Sequence, residues 1–388
     1  MSSSGRMSRR AFLHRSAAGA AALAGLGLPA RMSLGASRRS RQCQAVVIVR
    51  FGGGVRFSEM WTRSGMRNIP FLCRLAREGA FFPRMYNRGR IDHAAGTCHI
   101  LTGTYGWPEP DIRPQWPTLF EYARNDLHWP AEEAIVVSHL WDAAFATFST
   151  HPDYGARFGA TRISPEMVEM ERLEGQLRAA GLDRNQRSGL EARLQYFRAR
   201  EERAHDQGDK PLPGEQSAHV RKFVRYLSQA TSPADFQPFG DDQAAWFAME
   251  AIDKPAPRAL LLPLGSTDRA VTGRWSDYVK AIRRCDWLTG KLYAALQGRD
   301  RYREGALFVV VPDHGRCGDG YGLAGFQDCE GADEACKRIS CVLVGPGIRP
   351  GVVVDRPCEQ IDILPTIAEL MGFDAPLATG KPLKEALQ

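Results

Sequence analysis

Five short runs constrain this chain more than anything else in it: "AVVIVR", "EAIVVSH", "RALLLPLG", "GALFVVVPDHG" and "ISCVLVGPG". Their cores are continuously apolar rather than alternating, so each must be covered on both faces. A strand of that kind sits inside a sheet with helices above and below it. The intervening segments supply the helices. "NIPFLCRLAREGAFF" sets Phe71, Leu72, Leu75 and Ala76 on one helical face, stops at Gly79, and starts another strand at 80–82. "PTLFEYARNDL", with Pro117 near its start, "DYVKAIRRCDWLTGKLYAAL" and "DILPTIAELMG" are three more. Apolar strands alternating with amphipathic helices predict an α/β fold around a largely parallel sheet. The chain's 388 residues suffice for one large domain of this class, placed here at 45–388.

Between about 161 and 250 the pattern changes, and Arg and Glu crowd the sequence. Met167, Met170, Leu173 and Leu177 form one apolar stripe; Leu190, Leu194 and Phe197 form another, with Gly181 and Gly189 bracketing the turn. This reads as a helical hairpin inserted into the α/β domain. Its charge has two readings: an ordinary solvated face, or a substrate lid or oligomer contact.

The formal charge of +7 misleads until it is located. Arg6, Arg9, Arg10, Arg15 and Arg31 all lie in residues 1–36, which contain no acid. Without those five, 46 of the 51 basic residues remain against 44 acidic ones, and no electrostatic case for nucleic acid survives. The same segment carries a twin arginine, Arg9 and Arg10, then Phe12, Leu13 and a weakly hydrophobic Ala/Gly/Leu stretch with a cleavage point near Ala36. It resembles a twin-arginine export signal of a bacterial protein, which implies the export machinery as a partner and a periplasmic or secreted location. The run is short and glycine-rich, and no later segment reaches ~18 unbroken apolar residues, so no permanent membrane span is expected. Nine cysteines follow, at 43, 73, 98, 285, 317, 329, 336, 341 and 358. In an oxidising compartment the 317–341 cluster is the place for pairing, and an odd count leaves at least one thiol over. None has the spacing of a structural zinc site, and Cys73 and Cys341 read as core residues.

"LTGTYGWP" at 101–108, "VVVPDHG" at 309–315, "IDILPTIAELMG" at 361–372 and "NIPFLCRLAREGAFFPRMYN" at 68–87 together resemble the sulfatase and alkaline-phosphatase superfamily, with "PTLFEYARN" a weaker fifth match. The first is similar to the turn beyond the family's nucleophile helix. The second is similar to its aspartate–histidine–glycine metal motif. The third has Asp362, Pro365, Thr366, Leu370 and Gly372 in family spacing. The resemblance covers most of 45–383 outside the hairpin. It implies an alkaline-phosphatase-like α/β/α sandwich with one or two divalent metals above the sheet's carboxyl edge. There a threonine, serine or modified cysteine attacks phosphorus or sulfur. Metals lower the nucleophile's pKa and neutralise the ester's oxygens. Carboxylates with imidazole suit zinc, manganese or calcium.

Asp313 and His314 end an apolar run and precede a glycine, so both side chains can turn into a cleft; they are the metal candidates. Asp362 reads as a helix cap, and Asp286 as architecture inside a helix. The departures are equally specific. Arg50 stands where the family's first strand ends in a metal-binding aspartate, and a cation there neutralises or binds an anionic group instead. Asp268 is a candidate ligand without its usual histidine, and Asp328, Cys329 and Asp333 occupy the region of a late family histidine. Counting back from Thr102, the nucleophile's place falls on His93. That residue, beside Asp92, has three readings: ligand, general acid, or part of a helix cap. Thr97 becomes the hydroxyl nucleophile only if the helix starts one turn later, which would put it at the anion-attracting end. Two functional readings follow from the resemblance. One is an exported metal-dependent hydrolase of small anionic phosphate or sulfate esters, with Asp313, His314 and either Asp268 or Asp92 as ligands, and Thr97 or metal-bound hydroxide attacking. The other is a non-catalytic relative that binds an anion or a partner, with Arg50 in the old metal position.

Overall fold

The computed structural model describes residues 42–106, 113–139, 146–179, 181–206, 217–271, 273–319, 325–327 and 333–388. The segment read as an export signal lies outside them. Nine strands form one sheet: β1 (Ala45–Arg50), β2 (Ala80–Tyr86), β3 (Ala134–Val137), β4 (Thr161–Ile163), β5 (Ala259–Pro263), β6 (Ala306–Val311), β7 (Arg338–Val344), β8 (Val352–Val353) and β9 (Cys358–Glu359). Their order is β4-β3-β5-β1-β6-β7-β2-β8, with β9 also on β2. Every pairing among them is parallel except those of β7, which runs against both β6 and β2.

The continuous apolar runs behave as their composition requires. All six residues of β1 are buried, and alternate ones serve opposite layers. Val46 and Ile48 join the core under the helices His93–Thr102, Leu119–Leu127 and Ile363–Met371. Ala45, Val47 and Val49 join the core under Pro70–Glu78, Ala218–Gln229, Gly240–Asp253 and Trp275–Gln297. Burying each large aliphatic side chain in such a layer contributes roughly 1.5–3 kcal/mol, so the two layers hold the sheet between them. The result is an α/β/α sandwich with a mostly parallel sheet. Among the described residues, no helix is long and apolar enough to cross a membrane.

Within 161–250 the sandwich claims both ends. β4 pairs with β3 at the sheet's edge, and Gly240–Asp253 packs on the second face. Between them, Pro165–Arg178 and Arg184–Asp206 pack on each other and are bridged by Glu169–Arg193, Glu174–Arg198 and Glu166–Arg200 pairs at 2.8, 2.9 and 3.3 Å. The arginines of these pairs are exposed, so the pairs add little to stability. Gly181 lies in the turn, but Gly189 falls inside the second helix, which a reciprocal Asp183–Gln186 cap starts at Arg184. Pro117 likewise precedes its helix: Thr118 is the N-cap, in a capping box with Glu121.

β1 sits between β5 and β6, so three parallel strands deliver Arg50, the turn after Pro263, and Asp313 to one edge. Crevices at the carboxyl edge of such a sheet are where this architecture places its ligands.

Candidate metal centre

Asp313 and His314 follow β6 after a single proline, Pro312, and both are fully buried. The helix His93–Thr102 starts over them. Asp92 is its N-cap, with extended backbone and a carboxylate that accepts from Ala95 N at 2.7 Å. The helix rests on the strand end at Gly96, where a Cβ would lie 2.6 Å from the Asp313 carbonyl oxygen. That close approach brings three atoms together. His93 Nδ1 is 2.9 Å from Asp313 Oδ2 and 3.0 Å from His314 Nε2, and the third side of the triangle is 3.8 Å.

Each corner is oriented from outside. His93 Nε2 lies 3.1 Å from Asp268 Oδ1, so the carboxylate holds the outer edge of the ring and Nδ1 faces the centre. His314 Nδ1 lies 2.7 Å from the Gly315 carbonyl, which accepts its N–H and aims Nε2 inward. Asp313 Oδ1 accepts from the N–H groups of Gly54 and His314 at 3.0 and 2.8 Å, leaving Oδ2 for the centre. Gly54 has φ +69°, and a Cβ there would sit 2.7 Å from the His314 ring, which explains the last glycine of the run after β1.

The charges around the triangle are strongly coupled. Burial opposes a charge on His93, but Asp313 and Asp268 outweigh it and push the imidazole up to about 10. Burial pushes His314 down to about 4. Burial also works against the Asp313 carboxylate, yet His314, Arg50 and His93 hold it far below the usual carboxylate range. The same lone pair that these carboxylates favour for a proton is the one a divalent ion would need.

The remaining expected site residues divide cleanly. Asp268 is half-exposed and reaches the centre only through His93, with Arg316 on the same oxygen at 3.0 Å. Asp92 does not join the triangle; its carboxylate is spent on the helix cap and on Arg90 at 2.5 Å. Because that cap starts the helix at His93, Thr97 lies in the second turn, not at its end. Its hydroxyl donates to the His93 carbonyl and accepts from Arg50, both at 2.7 Å. Arg50 is 1% exposed and turns inward, to Thr97 and to within 3.8 Å of Asp313. Asp286 accepts from Phe71 N and Leu72 N at 2.9 Å, and Asp362 from Glu359 N and Lys381 N, so both are architectural. Asp328 and Cys329 lie outside the described residues, and Asp333 caps Glu334–Lys337.

Residues that the sequence did not single out hold the frame. The buried Arg316 binds the carbonyls of Gly53, Gly54 and Thr267, and Gln360 and Asn87 donate to the Asp313 carbonyl. Arg316 had a signal, two residues past His314; the others had none.

An α/β/α sandwich with a histidine–carboxylate centre at its parallel sheet's carboxyl edge is the class of protein that fold and site define. No family model matches the chain. Two solved structures share the fold at a TM-score of 0.54. One is a Vibrio parahaemolyticus protein of the alkaline phosphatase superfamily, at 13% identity, covering 89% of this chain and 71% of that one. The other is the alkaline phosphatase PafA, at 12% identity and 89% and 99% coverage. In sequence, a sulfatase from Formosa agariphila is 30% identical over 116 residues, 28% of this chain and 22% of that protein. Mouse (Mus musculus) steryl-sulfatase is 30% identical over 125 residues, or 29% and 19%. The chain thus matches about a fifth of the length of these curated relatives. It has the fold of these alkaline-phosphatase structures, and stretches of 116 and 125 of its residues are similar to the two sulfatases.

Proposed function

We propose that the chain is an exported metal-dependent hydrolase of phosphate or sulfate esters, with His93, Asp313 and His314 as its metal ligands. The observation that carries this is the pair of outer partners: Asp268 and the Gly315 carbonyl each hold the outward nitrogen of one histidine, at 3.1 and 2.7 Å, and the inward nitrogens form one triangle with Asp313 Oδ2. Outer partners of that kind orient metal-bound histidines generally. The donors fit a divalent ion. A tetrahedral site with bonds of ~2.0–2.1 Å separates its ligands by about 3.3 Å, and the triangle's sides bracket that distance. Two imidazoles and one carboxylate suit zinc or manganese better than calcium, which takes six to eight oxygens.

Such an ion supplies Lewis acidity to an ester oxygen and to an attacking water. The chain's own residues supply the rest. Asp268 fixes the His93 ring, Arg50 offsets the buried Asp313 charge, and Thr97 clamps Arg50 instead of attacking. Solvent reaches the centre along the partly exposed His93–Asp268 edge, which is where an ester would enter. The relatives named a sulfatase and a steryl-sulfatase support the ester class. Arg9 and Arg10 support export.

A second reading rests on the same neighbourhood. Arg50 and Arg316 already face Asp313 and Asp268, a self-compensated arrangement suited to a non-catalytic, anion-binding relative. Turnover separates the two. Aryl phosphate, phosphodiester and aryl sulfate would be assayed with zinc, manganese and calcium. The hydrolase is expected to need metal, to lose ~10²-fold or more in Asp313→Ala, and to keep turnover within ~10-fold in Thr97→Ala. Metal-loaded protein inert on every ester, but binding phosphate or sulfate, would favour the second reading.

A further inference from the structure

Three residues beyond His314, Cys317 faces Cys336. Their Sγ atoms lie 3.0 Å apart, and neither residue has exposed surface. The segments that carry them are already joined: Gly315 N–H donates to the Cys336 carbonyl at 2.7 Å, and Gly318 N–H to Asp333 Oδ2 at 2.6 Å. We propose that Cys317 and Cys336 form a disulfide that locks the loop carrying Asp313 and His314 against the segment leading into β7. This does not depend on the hydrolase reading.

Asp333 stands beside the pair, so a divalent ion is the rival occupant. Two observations favour the bond. Asp333 spends its carboxylate on Gly318 N and Ala335 N, at 2.6 and 3.2 Å. Two thiolates on one zinc, with bonds of ~2.3 Å, stand about 3.7 Å apart, wider than these sulfurs. The oxidant required is an external disulfide such as glutathione disulfide. One S–S bond of the oxidant breaks through a mixed disulfide, one forms between Cys317 and Cys336, and the two thiol hydrogens leave with the oxidant's two thiols. Closing a loop across a sequence separation of 19 constrains the unfolded chain.

The test uses the full chain equilibrated with glutathione disulfide, then unfolded without reductant, alkylated and digested. Cleavage after Arg316 and Lys337 releases Cys317, Cys329 and Cys336 on one peptide. A second cut before Asp319, Asp328 and Asp333 separates them. The expected product joins the Cys317 and Cys336 fragments, lighter by the two hydrogens lost, with Cys329 alkylated. In parallel, reductant should lower the wild-type Tm by about 5 °C and leave the Cys317→Ala/Cys336→Ala double variant unmoved. Alkylation of both cysteines, linkage through Cys329, or a wild-type Tm indifferent to reductant would each overturn the proposal.

Discussion

His99 is buried on the helix that starts over Asp313, and neither ring nitrogen meets a partner among the described residues; Tyr105 closes on the ring edge-on at 4.9 Å. Burial pushes it down to about 3. The unfolded chain takes up a proton near the ordinary value of ~6.5 while the folded chain does not, so stability is lost as pH falls from there toward 3. Each unit in that window costs up to about 1.4 kcal/mol. Denaturant melts at pH 7 and pH 5 should therefore differ less for His99→Leu than for wild type; an unchanged difference would remove His99 as the cause. Asp268 acts through His93, so Asp268→Ala should weaken metal affinity by ~10–100-fold in a calorimetric titration, with the fold intact. Affinity unchanged would show that His93 needs no such partner. At this scale the sequence reached Asp313 and His314, because an apolar strand running into Asp–His–Gly announces itself. It also reached the position of His93. It could not show that the adjacent Gly315 carbonyl and the Asp268 carboxylate, distant from His93 in sequence, orient the two rings.

The helix His93–Thr102 decides whether the centre exists. Where that helix starts was open in the sequence, since Asp92 and Thr97 each sit ahead of a plausible first turn. The Asp92 cap settles it and places His93, not Thr97, over Asp313. Gly96 is the seat of this contact. Glycine to alanine in an ordinary helix stabilises by about 1 kcal/mol. Here the added carbon meets the Asp313 backbone and side chain at 2.6–2.9 Å, so Gly96→Ala should instead destabilise by roughly 1–3 kcal/mol and weaken metal binding. Equal or greater stability in urea melts, with metal affinity kept, would mean that the helix tolerates a shift away from the strand end.

Across the whole molecule, the sandwich was legible because strands buried on two faces have no polar side to hide. The reversal of β7 was not, since a continuous apolar run reads alike in either direction. The export reading has its own test: changing Arg9 and Arg10 together to Lys should strand the precursor inside the cell, and normal export would reject the route. The most direct measurement is of the metal itself. Purified full-length protein should carry about one divalent ion per chain at this centre, gain several degrees in Tm when zinc or manganese is added, and lose both properties in His93→Ala and in Asp313→Ala. Metal-free wild-type protein whose Tm ignores zinc, manganese and calcium would contradict the assignment of His93, Asp313 and His314 as ligands.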